Sequence, residues 1–127
     1  MNIWYNNLIK PPLTPPAQYF PIAWGILYTL MTIAFFIVLF KQNSTNKFIA
    51  VNLFLLQLIF NFTWSYVFFE IKSIQLALVD LLFLLMFLIL TIIFFFKVSK
   101  LAGILLIPYL LQVLFALYLN IGILILN

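Results

Sequence analysis

The chain has no cysteine, no histidine and no arginine, and only two acids, Glu70 and Asp80. Without cysteine there is no disulfide and no thiolate metal site. Without histidine and arginine, the usual general base, the commonest metal ligand and the bidentate phosphate clamp are gone. One Asp and one Glu on separate segments do not make a catalytic carboxylate pair. The three glycines are isolated, so there is no Gly-rich phosphate loop. These absences leave no catalytic residues and no metal, and no cofactor is expected. What fills the sequence instead is apolar. Of 127 residues, 68% are hydrophobic and 6% charged. So small a globule cannot hide that excess in water, because its surface is too large for its volume. The fitting solvent is lipid.

A spanning helix needs about 20 mostly apolar residues to cross a hydrocarbon core about 30 Å thick. Four segments meet this, at about 21–40, 48–69, 74–96 and 101–126. Their runs are long and continuous rather than alternating, which makes the strands of a membrane barrel the poorer reading. The reading is a single all-α transmembrane domain over residues 1–127, an integral membrane bundle of about four helices. The connectors Lys41–Lys47, Glu70–Ser73 and Lys97–Lys100 are short and polar, so sequential helices run antiparallel. Residues 1–20 carry Trp4, Tyr5, Pro11, Pro12, Pro15, Pro16 and Tyr19 but no basic region leading into an apolar run. Proline restricts its predecessor and lacks a donor, so this stretch reads as a loop and not as a signal peptide.

The six lysines are single and scattered, which is topological signal rather than a nucleic-acid patch. Lys41, Lys47, Lys97 and Lys100 fall on one side; Lys10 and Lys72 fall on the other. The excess puts the first and third connectors in the cytoplasm of a bacterial cell and both termini outside.

Polar groups inside the spans turn away from lipid. Gln57, Asn61 and Ser65, at i, i+4 and i+8, share one face of the second helix, flanked by Trp64 and Phe68. Tyr109, Gln112, Ala116 and Asn120 share one face of the fourth. Trp24 and Tyr28 lie one turn apart on the first, and Asp80 is the only acid within an apolar run of the third. Such residues either line a ligand site or glue helices by hydrogen bonds worth about 1 kcal/mol each. For Gln57 and Gln112 the two readings weigh equally. A membrane carboxylate is a functional candidate by default.

Three ordered groups of residues resemble one family. Trp4-Tyr5, Lys10-Pro11 and Thr14-Pro15-Pro16, followed by Trp24, look like the loop and helix start of the translocator protein family. That family comprises the tryptophan-rich sensory proteins of bacteria and the mitochondrial peripheral benzodiazepine receptor. Gln57, Asn61 and Trp64, then Phe68-Phe69, Ala77 and Asp80, look like its next two helices. Pro108-Tyr109, Phe115-Ala116 and Leu119-Asn120 look like its last. The resemblance implies an often dimeric helical bundle whose cavity binds porphyrin, haem-related tetrapyrroles or sterols, with a transport, sensory or scavenging role. It places Tyr5, Trp24, Asn61, Trp64, Ser65, Phe115, Ala116 and Leu119 in the ligand site under a lid at residues 10–16. Tyr28, Gln57, Asp80, Tyr109 and Gln112 are further candidates. The implied partners are a porphyrin, haem or sterol-like molecule, the bilayer and a second copy in a homodimer, with no nucleic acid.

Two departures accompany the resemblance. The family typically has a helix before the Trp-Tyr loop, where this chain begins. Some bacterial members, which degrade porphyrin photochemically, carry a tryptophan where this chain has Gln112; Trp24 remains but that partner is gone, so a porphyrin photo-oxidising enzyme stands only as a further alternative. No basic residue follows Lys100, so the last helix cannot supply a Leu/Val-x-Tyr-x-Lys/Arg sterol motif. The competing class is a small four-helix multidrug transporter, for which Asp80 is the only candidate substrate carboxylate.

Overall fold

The structure is a computed structural model that describes residues 8–10 and 19–126. Four helices account for nearly all of it: α1 (Tyr19–Leu39), α2 (Thr45–Tyr66), α3 (Ile74–Val98) and α4 (Lys100–Leu126). Each is long and apolar enough to cross a membrane, and no strand occurs among the described residues. In lipid a helix satisfies its own backbone groups, which is why these runs take this form.

Serine starts three of the four helices. Ser44 accepts from the Lys47 N–H at 3.1 Å, Ser73 from the Leu76 N–H at 3.2 Å, and Ser99 from the Ala102 N–H at 3.4 Å. Each cap satisfies a donor that the first turn leaves open. At the end of α1 the Lys47 ammonium donates to the Leu39 and Lys41 carbonyls at 2.7 and 3.0 Å. A cation suits the negative end of the helix dipole there.

The expected Glu70–Ser73 connector is shorter than its composition suggests. α2 runs on without a break into a π-helical turn, Val67–Ile71, which buries Val67 and Phe68. The turn ends at Lys72, in the left-handed region at φ 63°. The Lys72 and Ser73 N–H groups both close onto the Val67 carbonyl. Only two residues then separate this turn from α3.

The helices form a ring in which α3 packs between α2 and α4, α4 packs against α1, and the α1–α2 seam is the thinnest. Phenylalanines tie the lysine-rich end: Phe35 stacks on Phe54 at 4.7 Å and Phe54 on Phe95 at 5.7 Å, joining α1, α2 and α3. Gly103 brings α4 against α3, since a Cβ there would sit 2.5 Å from the Phe96 ring. A second, smaller core closes the opposite end. There Val67, Phe68, Ala77 and Ile123 pack with Trp64 and with Leu8 from the N-terminal segment.

Candidate functional site

Halfway along the bundle, side chains from three helices form one directed hydrogen-bond chain. The Tyr28 hydroxyl on α1 donates to Asn61 Oδ1 on α2 at 2.8 Å. Asn61 Nδ2 donates to the Tyr109 hydroxyl on α4, which in turn donates to Gln57 Oε1 at 2.9 Å. Gln57 and Tyr109 are fully buried and Asn61 nearly so. Trp24 covers the chain from α1, its ring 5.8 Å from Tyr28 and 6.1 Å edge-on from Tyr109. The direction matters: the chain ends on Gln57 Nε2, a buried donor with no partner among the described residues.

A second polar cluster lies nearer the N-terminal end of α3. Trp64 Nε1 donates to Asn120 Oδ1 at 3.0 Å, and Asn120 Nδ2 donates to the Ile74 carbonyl at 3.1 Å. This ties α2, α4 and the first turn of α3 together. Trp64 also stacks on Phe68 at 5.4 Å.

The family-motif residues map onto these clusters unevenly. Trp24, Tyr28, Gln57, Asn61 and Tyr109 come together in the first, and Trp64 joins the second. Ala116 and Leu119 are buried on α4. Phe115 and Gln112 line an open, mostly apolar groove of about 550 Å³ between α1 and α4. Asp80 is buried, with its Oδ2 lacking a partner among the described residues, so it faces protein rather than lipid. Tyr5 and residues 11–16 of the expected lid lie outside the described residues.

Ser65 departs from its expected place: it is exposed. At about 100° per residue, eight positions overshoot the direction of Gln57 by about 80°, while seven fall short by only about 20°. Trp64 therefore continues the inward stripe and Ser65 leaves it. The part of Asn120 was missed as well. It stood on the right face of α4, but nothing in a single helix's periodicity says that it would take the Trp64 indole.

The TspO/MBR family profile matches residues 1–126. The chain belongs to the TspO/MBR family. It is 44% identical to the tryptophan-rich protein TspO of Chlorobaculum tepidum, over 98% of this chain and 79% of that one. It is 38% identical to the tryptophan-rich sensory protein of Cereibacter sphaeroides, over 84% and 66%. It is 34% identical to the translocator protein of Homo sapiens, over 92% and 70%. As a TspO/MBR protein it is an integral, multi-pass membrane protein, in keeping with its four spans. The tyrosine–amide chain and the tryptophan clasp are thus features of a TspO/MBR bundle in which Gln112 sits on α4.

Proposed function

We propose that this protein is a bacterial membrane receptor for flat apolar ligands that carry hydrogen-bond acceptors, with porphyrin and haem-type tetrapyrroles as the first candidates. The observation that carries this reading is the Gln57 amide. A buried donor without an acceptor costs about 1–3 kcal/mol. A ligand carboxylate or carbonyl would complete the chain that runs from Tyr28 through Asn61 and Tyr109 to Gln57 Nε2. Trp24, beside that chain, offers an aromatic face of the kind that planar ligands favour. Family membership supports the same reading, and a transport, sensory or scavenging role follows from it. A homodimer and outward-facing termini belong to the proposal. The thin α1–α2 seam favours a partner, and the four lysines at one end of the bundle favour that end as cytoplasmic.

The test is a titration of purified protein with protoporphyrin, read by quenching of tryptophan fluorescence. Saturable quenching is expected, with at least a fivefold loss of affinity in Trp24→Phe. Absence of saturable binding would sink the reading. Asp80 is the observation that favours the transporter alternative. Proton-driven uptake of a cationic dye in liposomes, abolished by Asp80→Asn, would replace the receptor reading with that one.

A further inference from the structure

The connector that follows α1 holds two lysines with different duties. The Lys47 ammonium gives away all three of its protons, to the Leu39 and Lys41 carbonyls and to Asn43 Oδ1 at 3.1 Å. It thereby closes the C-terminal end of α1. The Lys41 ammonium has no partner among the described residues, and the residue is exposed. At the same end of the bundle Lys97 lies over the Phe94 ring, 4.6 Å from its centre. Lys41 borders a second open groove, of about 520 Å³, whose other walls are Thr32, Ile33, Phe36, Ile37 and Phe40 of α1. Thr32 donates its hydroxyl proton to the Tyr28 carbonyl at 2.8 Å, so it adds no donor to the wall. The groove is therefore apolar along its length and cationic at one end. From Thr32 to Phe40 is about 12 Å at 1.5 Å per residue. The hydrocarbon of one leaflet is about 15 Å deep, half of a core about 30 Å thick. The apolar span of α1 ends at Leu39, so Lys41 stands where that leaflet meets its headgroups.

We propose that this groove holds one phospholipid of net negative charge, with an acyl chain along the stripe from Thr32 to Phe40 and the headgroup phosphate on the Lys41 ammonium. The match is one of length and of charge. The stripe is nearly as long as one leaflet is deep, and its cation sits at headgroup level. Phe36 and Phe40, 49% and 83% exposed, stack at 6.2 Å and give the chain a continuous surface to lie on. A phosphatidylcholine would suit the apolar wall equally well, but its own choline cation already offsets its phosphate. The preference for an anionic lipid therefore comes from Lys41. The groove shares no residue with the one between α1 and α4 or with the interior chain that ends at Gln57.

The experiment is native mass spectrometry of the full chain released from detergent micelles, titrated with dioleoylphosphatidylglycerol and with dioleoylphosphatidylcholine. One lysine at the membrane surface predicts that the anionic lipid binds roughly fivefold more tightly. Lys41→Gln should bring phosphatidylglycerol down to the affinity of phosphatidylcholine. Lys100→Gln removes a charge from the same end of the bundle but outside the groove, and should keep the preference. Ile33→Trp fills the groove from a position that is 46% exposed and should weaken both lipids at least fivefold. All three substitutions fall at exposed positions, so all three proteins should fold. Equal affinities in the unmodified chain would overturn the proposal, as would an unchanged preference in Lys41→Gln or retained binding in Ile33→Trp. Loss of the preference in Lys100→Gln would also overturn it, by assigning the effect to the diffuse charge of that end. A dimer that Ile33→Trp dissociates would replace the lipid with a second copy of the chain.

Discussion

Trp64 and Asn120 use each of their side-chain polar atoms, whereas the chain from Tyr28 to Gln57 stops at an amide with nothing to donate to. Both clusters join three helices or their ends, and both are made of aromatic residues and amides. The completed one has the character of a clasp: its geometry is closed by the Ile74 carbonyl, which fixes where α3 begins against α4. The incomplete one holds helices together as well, but retains capacity for one more acceptor. Hydrogen bonding alone therefore does not separate helix glue from a ligand site. What separates them is whether the network closes on the protein's own groups.

The largest effect should come from Asn61→Leu, which leaves the Tyr28 and Tyr109 hydroxyls without their shared partner. Loss of about 2–6 kcal/mol is expected from two groups, Tyr109 buried and Tyr28 half-buried, at about 1–3 kcal/mol each, read by denaturant unfolding in micelles. Porphyrin affinity should fall tenfold or more alongside it. A variant that kept full stability would show that the chain does not bind α1 and α4 to α2. Asn120→Leu comes next, at about 1–3 kcal/mol through the orphaned Trp64 indole. Here porphyrin affinity should hold within twofold, and a larger loss would mean that the clasp belongs to the ligand site.

Gln57→Met sharpens the contrast from the other side. It deletes the unpartnered donor together with one bond to Tyr109, so stability should change by less than about 1 kcal/mol. Affinity for a carboxylate-bearing porphyrin should nonetheless drop several-fold, while a porphyrin ester lacking the charge should be less affected. Equal affinities for both proteins would leave the Gln57 amide without a role in binding. The smallest effect should be that of Ser65→Ala, within about 0.5 kcal/mol and with unchanged affinity, because its side chain is exposed.

Much of this bundle is written in composition. Four apolar runs and three short polar connectors yield four spanning helices with boundaries displaced by a few residues, because lipid admits few other ways to satisfy a backbone. The serines that cap α2, α3 and α4 sit in or beside the expected connectors for the same local reason. The π-helical turn at Val67–Ile71 was not legible, since its extra residue per turn is repaid only by packing Val67 and Phe68 against Ala77 and Ile123. Periodicity put Gln57, Asn61, Tyr109 and Asn120 on inward faces, and the resemblance marked Trp24, Asn61 and Trp64. It took the ring of helices to decide which of them meet. An inward face is a property of one helix, set by 3.6 residues per turn. A hydrogen bond between helices depends also on their relative height and rotation, which no single span encodes. A four-helix membrane protein with amides and aromatics inside thus follows from residue order, whereas the packing of the helices is what joins Tyr109 to Asn61 and Gln57, turns Trp64 to Asn120 and leaves Ser65 facing away.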